Sequence, residues 1–122
     1  MAKKILIVED DTFLQELEAR KLSKEGYEIL TAGDGAEGLR ILKKEKIDIL
    51  LLDLLLPGID GFELLEQIKK DKDLKEIPIV VFSNLSEEKD IEHAKSLGIS
   101  EFMVKSNFTL DELVAKIKEI TK

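Results

Sequence analysis

One aspartate, Asp53, stands in the middle of the apolar run IDILLLDLLLPGIDG, residues 47–61. An ionised carboxylate left inside an apolar core is costly. Either the chain leaves the core at Asp53 or something there needs a negative charge. Other polar groups recur at the ends of other apolar runs. Glu9, Asp10 and Asp11 follow KILIV (4–8), Ser83 closes IPIVVFS (77–83) and Lys105 closes EFMVK (101–105). Carboxylates that converge repel and raise each other's pKa, and a divalent cation removes that cost. Hard oxygen donors without histidine or cysteine suit Mg²⁺ or Mn²⁺ and leave places for water and a phosphate. Carboxylates, cation, ammonium and hydroxyl together can handle a phosphoryl group. The cation and Lys105 would neutralise its equatorial oxygens while one carboxylate attacks phosphorus.

The elements that must position these groups are legible from periodicity. KILIV, IDILLLD (47–53) and IPIVVFS are apolar, β-branched runs of strand length; YEILTA (27–32) and EFMVK are weaker ones. Helical spacing fills the intervals. Phe13, Leu14, Leu17 and Leu22 mark a first stripe, Leu39 and Leu42 a second, and Phe62, Leu64, Leu65 and Ile68 a third. Ile91, Ala94 and Leu97 mark the fourth; Leu110, Leu113, Val114, Ile117 and Ile120 the fifth. DGAE (34–37), DGFE (60–63) and TLDE (109–112) read as capping boxes at helix starts. Asp11 reads as a helix cap rather than a metal ligand, and Asp60 as a cap. Gly26 and Gly98 stand where the first and fourth helices should stop. Five strands alternating with five helices predict an α/β, flavodoxin-like three-layer sandwich around a parallel sheet. Right-handed crossovers and short connections favour the strand order 2-1-3-4-5. All strand carboxyl ends then share one edge, where Glu9, Asp10, Asp53, Ser83 and Lys105 fall. Asp53 is where the central strand leaves the core.

Composition narrows the classes. The chain of 122 residues is 43% hydrophobic and 37% charged, which fits one domain with a single core and excludes disorder. Its apolar runs are too short for a membrane span, and its start is a poor signal peptide, so a cytoplasmic location is expected. Cysteine is absent, so neither a disulfide framework nor a thiolate metal site is available. A formal net charge of −7 argues against nucleic acid or an anionic membrane as the main partner.

Taken in order, ILIVEDD, LLLDLLLPGIDGFEL, VVFSN and FMVK resemble a response-regulator receiver domain of the single-domain, chemotaxis-regulator type. The resemblance covers residues 1–122 and implies one receiver domain without an output domain. It implies that Asp53 accepts a phosphoryl group from a histidine kinase or phosphotransfer protein. Glu9 and Asp10 would be the acidic pair around Mg²⁺, Asp10 the more direct ligand, and Leu55 would add its backbone carbonyl. Ser83 would be the switch hydroxyl, Phe102 the rotating aromatic and Lys105 the phosphate-binding lysine. Phe102 fits ordinary core packing equally well. Phosphorylation would switch the surface of the fourth helix, fifth strand and fifth helix toward an unknown protein target, in a monomer or a weak phosphorylation-dependent dimer. The family usually has proline after the lysine; here Ser106 stands there, and a trans Lys105–Ser106 bond is expected. His93, the only histidine, reads as a solvated side chain on the fourth helix.

Three other functions compete. A small Mg²⁺-dependent phosphohydrolase with an aspartyl-phosphate intermediate wants a second acid two residues after its nucleophile, and here that residue is Leu55. A flavin binder wants a hydroxyl- and amide-rich phosphate loop after the first strand, where VEDD would repel phosphate. A scaffolding pseudo-receiver would lack part of the site set that this sequence carries. A phosphoacceptor that acts by binding, not a turnover enzyme, is the expected function.

Overall fold

The computed structural model describes residues 2–122. Five strands, β1 (Lys4–Val8), β2 (Glu28–Ala32), β3 (Ile49–Leu52), β4 (Ile79–Ser83) and β5 (Glu101–Val104), form one parallel sheet in the order β2-β1-β3-β4-β5. They alternate with helices α1 (Thr12–Lys24), α2 (Gly35–Lys44), α3 (Gly61–Lys70), α4 (Glu88–Ser96) and α5 (Leu110–Ile120). A short 3₁₀ turn, Lys105–Asn107, follows β5. The flavodoxin-like α/β fold and its strand order are those expected.

The period of two along each strand divides the core into two layers. Leu6, Val8, Leu50, Leu52, Ile79, Val81 and Phe102 pack with residues of α2, α3 and α4. Ile5, Ile7, Ile49, Leu51, Val80, Phe82 and Met103 pack with residues of α1 and α5. The central strands are buried on both faces, which is why β1, β3 and β4 read as nearly unbroken apolar runs. Fully burying each such side chain is worth about 1.5–3 kcal/mol.

Helix ends follow local chemistry. Asp11, Asp34, Asp60 and Thr109 each cap a helix by accepting a backbone N–H three residues on. The full reciprocal box forms at Thr109 alone among these; Glu37 reaches back instead to the Gly33 amide. Gly26 and Gly98 end α1 and α4 with φ of 95° and 82°. Gly61 answers to space: a Cβ there would stand 2.8 Å from the Leu54 carbonyl oxygen and closer still to its Cα. That approach seats the start of α3 against the loop leaving β3, and the Gly61 amide donates to the Leu54 carbonyl at 3.0 Å.

The stripe expected on α1 is corrected. Phe13 is 67% exposed, whereas Glu18 and Leu22, four apart, are buried. Phe13 and Leu22 lie nine positions apart, about two and a half turns, so they occupy opposite faces. The buried face includes a carboxylic acid that the apolar pattern passed over.

Candidate functional site

The site is assembled at the exits of four strands. The Asp53 amide donates to the Val8 carbonyl at 3.0 Å, and the Glu9 amide donates to the Ala32 carbonyl at 3.1 Å. These bonds carry the sheet ladder one residue past β1 and β3. Glu9 and Asp53 therefore emerge side by side, both buried, while Asp10 is exposed at the rim.

Asp53 is held by three donors. Ser83 Oγ donates to its Oδ1 at 2.7 Å and the Leu55 amide donates to the same oxygen at 3.0 Å. Lys105 Nζ donates to Oδ2 at 2.7 Å. The same ammonium donates to Glu9 Oε1 at 2.7 Å, and the Asp11 amide donates to Glu9 Oε2 at 3.1 Å. A lysine and a serine far from Asp53 in sequence thus converge on one carboxylate. β4 and β5 deliver them to the same edge.

The electrostatics follow from burial and charge. Burial raises the pKa of Glu9 and the Asp53 charge adds to the rise, against the opposing bonds from Lys105 and the Asp11 amide. Burial opposes the charge of Lys105, but its hydrogen bonds to Asp53 and Glu9 outweigh that and hold its pKa above the ordinary lysine value. Carboxylate oxygens of Glu9, Asp10 and Asp53 lie within 4.8 Å of one another. One ammonium among three carboxylates leaves the cluster short of positive charge. An all-oxygen donor set of this kind fits a hard divalent cation.

Not every expected residue joins the cluster. Phe102 sits in the core layer beneath the sheet, 8% exposed and paired in register with Val81. Leu55 reaches Asp53 through its backbone, and its side chain is 48% exposed. Lys105 opens the 3₁₀ turn instead of ending the strand, and its bond to Ser106 is trans. His93 is exposed, as expected, but not merely solvated: its ring stacks on Phe62, centroids 4.7 Å apart and planes 6° from parallel.

Two polar residues of α1 were missed. Gln15 Nε2 donates to the carbonyls of Glu9 and Ala32 at 3.0 and 3.1 Å. Glu18 is 2% exposed, and its Oε1 is the one buried side-chain oxygen or nitrogen among the described residues without a hydrogen-bond partner. Burial, then the charge of Glu9, pushes its pKa up to about 8. The spacing Leu14–Glu18–Leu22 was the signal available for Glu18. Gln15 left none, because its partners are backbone carbonyls.

The chain resembles known proteins along nearly all its length. Residues 5–118 match the family model of the response regulator receiver domain. The alkaline phosphatase synthesis transcriptional regulatory protein PhoP of Bacillus subtilis (strain 168) is 35% identical over 122 residues, which is all of this chain and 50% of that protein. The chain spans about half the length of the curated relatives it matches. The structure of the phosphorylated cyanobacterial phytochrome response regulator RcpA superposes with a TM-score of 0.85 at 36% identity, covering 98% of this chain and 91% of that one. A CheY-like receiver domain protein from Methanospirillum hungatei JF-1 gives 0.91 at 29% identity, covering 99% and 94%. No helix among the described residues is long and apolar enough to cross a membrane. With the family model spanning the sheet from β1 to α5, the chain belongs to the response regulator receiver family, the phosphoacceptor modules of two-component signalling.

Proposed function

We propose that Asp53 is the phosphoacceptor, taking its phosphoryl group from a phosphohistidine of a histidine kinase or phosphotransfer protein. The observation that carries this reading is the set of donors around one buried carboxylate: Ser83, the Leu55 amide and Lys105, all within 3.0 Å. An Asp53 oxygen forms a bond to phosphorus as the phosphorus–nitrogen bond breaks, and that electron pair leaves with the imidazole. Lys105 and Ser83 then each have a phosphoryl oxygen to bind in place of a carboxylate oxygen. Glu9, Asp10, Asp53 and the Leu55 carbonyl would hold Mg²⁺, with Mn²⁺ as substitute. When bound, the cation supplies charge neutralisation for the phosphoryl oxygens.

The donor must approach Asp53 in line, so its carrier must cover the rim. Three large apolar side chains are exposed just after the strand exits: Phe13 in the first turn of α1, which follows β1, Leu55 in the loop after β3, and Phe108 after the 3₁₀ turn that follows β5, 67%, 48% and 39% exposed in turn. We assign that rim to the phosphohistidine carrier. Phosphorylation would bias the surface of α4, β5 and α5 toward a protein target, by about 1–3 kcal/mol of coupling.

Acetyl phosphate with Mg²⁺ tests the acceptor, since a small donor supplies what the kinase would. Intact-mass analysis should show one phosphoryl group on the parent and none on Asp53→Asn. Equal labelling of the two would overturn the assignment.

A further inference from the structure

β1 and β2 end at Val8 and Ala32, and the last backbone rung between them is the Glu9 amide on the Ala32 carbonyl. Beyond it, the Glu9 carbonyl has no strand to meet, since the chain after β2 turns into the Asp34 cap of α2. Gln15 fills that place. Its Nε2 donates to the Glu9 carbonyl at 3.0 Å and to the Ala32 carbonyl at 3.1 Å. Both amide hydrogens of one side chain are thereby used, and the ladder gains a side-chain rung. The Glu9 carbonyl belongs to the peptide plane that joins Glu9 to Asp10, so the amide of Gln15 fixes the plane from which the Asp10 side chain departs.

The neighbouring acids have their own restraints. Glu9 is gripped by Lys105 and the Asp11 amide, and Asp53 by Ser83, Lys105 and the Leu55 amide. Asp10 is exposed and takes its direction from the backbone. Its carboxylate nevertheless falls into the group formed with Glu9 and Asp53.

We propose that Gln15 is a positioning residue for divalent-cation binding: its amide locks the Glu9–Asp10 peptide plane and thereby aims the Asp10 carboxylate into the cluster with Glu9 and Asp53. The proposal rests on reading that cluster as the Mg²⁺ site. Mg²⁺ tolerates little deviation in the placement of its oxygens, so a peptide plane free to rock weakens binding without removing any ligand. Groups that orient metal ligands typically affect affinity by about 10- to 100-fold.

The test is calorimetric titration of MgCl₂ into the parent and into Gln15→Met, which keeps the length and flexibility of the side chain and removes both donors. Mg²⁺ affinity should fall about tenfold, and the backbone amide signals of Glu9 and Asp10 should shift in the cation-free protein. At saturating Mg²⁺ the rate of labelling by acetyl phosphate should return close to the parent rate. Gln15→Asn, one methylene too short to reach both carbonyls, gives the same reading if Gln15→Met does not fold. A variant that melts at a lower temperature yet binds Mg²⁺ as tightly as the parent would overturn the proposal and leave Gln15 a purely structural rung. A parent that does not bind Mg²⁺ would instead overturn the cation-site reading beneath it.

Discussion

At the scale of single residues, the site shows how one carboxylate is kept in a core. Asp53 has three donors, whereas Glu18, more deeply buried still, has an oxygen with no partner. The unpartnered acid makes a pH-dependent cost. Its folded-state pKa is about 8 against the ordinary 4.5. An acid raised in this way contributes stability that is fully present below pH 4.5 and is lost as pH rises through about 8. A shift of that size corresponds to up to about 5 kcal/mol across the window. Denaturant unfolding at about pH 4 and about pH 8.5, on either side of that window, should show a smaller loss in Glu18→Gln than in the parent. Glu18→Leu should be more stable than the parent at the higher pH, by about 1–3 kcal/mol. Equal slopes in parent and Glu18→Gln would reject the buried ionisation. On the proposed phosphorylation of Asp53, the lifetime of the phosphoryl group would also turn on single side chains. Leu55 and Leu85 stand two residues after Asp53 and Ser83 and cannot orient a water by hydrogen bonding. Slow self-dephosphorylation is therefore expected, and Leu55→Asn with Leu85→Glu should shorten the lifetime after donor removal. An unchanged decay rate in the double variant would sink the argument from water orientation.

At the scale of elements, the two helices flanking β5 are anchored differently. α5 is tied to α1 by Lys21–Asp111 at 2.7 Å and Lys118–Glu25 at 2.9 Å, and Tyr27 is bonded to Thr121 at 2.7 Å just past its end. α4 starts without a side-chain cap and buries Ala94 alone among its residues. Its clip to α3 is the stack of His93 on Phe62. Removing the ring with His93→Ala gives up roughly 0.5–1 kcal/mol of stacking, so amide exchange in α4 should quicken roughly 2- to 5-fold while α5 stays as in the parent. Equal acceleration in both helices would show that they open together and that the stack is no separate clip. Sequence showed these elements well where capping and periodicity agreed, as at Asp60 or Leu113. It failed on α1, because Phe13 at the rim and Glu18 in the core reverse the usual placement. Such reversals concentrate where a fold serves something besides its own stability. The Phe62–His93 contact was hidden for another reason: it joins two helices, and no spacing within either one reports it.

At the scale of the whole molecule, the site was legible because topology did most of the work. Once five strands are parallel, their carboxyl ends must share an edge, and Glu9, Asp10, Asp53, Ser83 and Lys105 can be placed there without any contact being known. What topology cannot supply is which side chain grips which, and so neither the bridge of Lys105 between Glu9 and Asp53 nor the clamp of Gln15 was foreseen. The same edge concentrates like charge in a chain already at −7. Glu9, Asp10 and Asp53 gather with Lys105 as the cation bonded to two of them. Folding therefore brings together carboxylates that the unfolded chain keeps apart, and a divalent cation that binds only the folded state would relieve the repulsion. Linkage sets the size of the effect. At a cation concentration one hundred times Kd the folded state gains about 2.7 kcal/mol, which for a domain of this size raises the melting temperature by on the order of 10 °C. Asp10→Asn should melt higher than the parent without Mg²⁺, since a repelling charge is gone, and should gain less from Mg²⁺, since a ligand is gone. The measurement is thermal unfolding of both proteins with MgCl₂ and with NaCl matched for ionic strength. Equal gains in the two salts would reduce the effect to general screening and remove the specific cation site from this edge of the sheet.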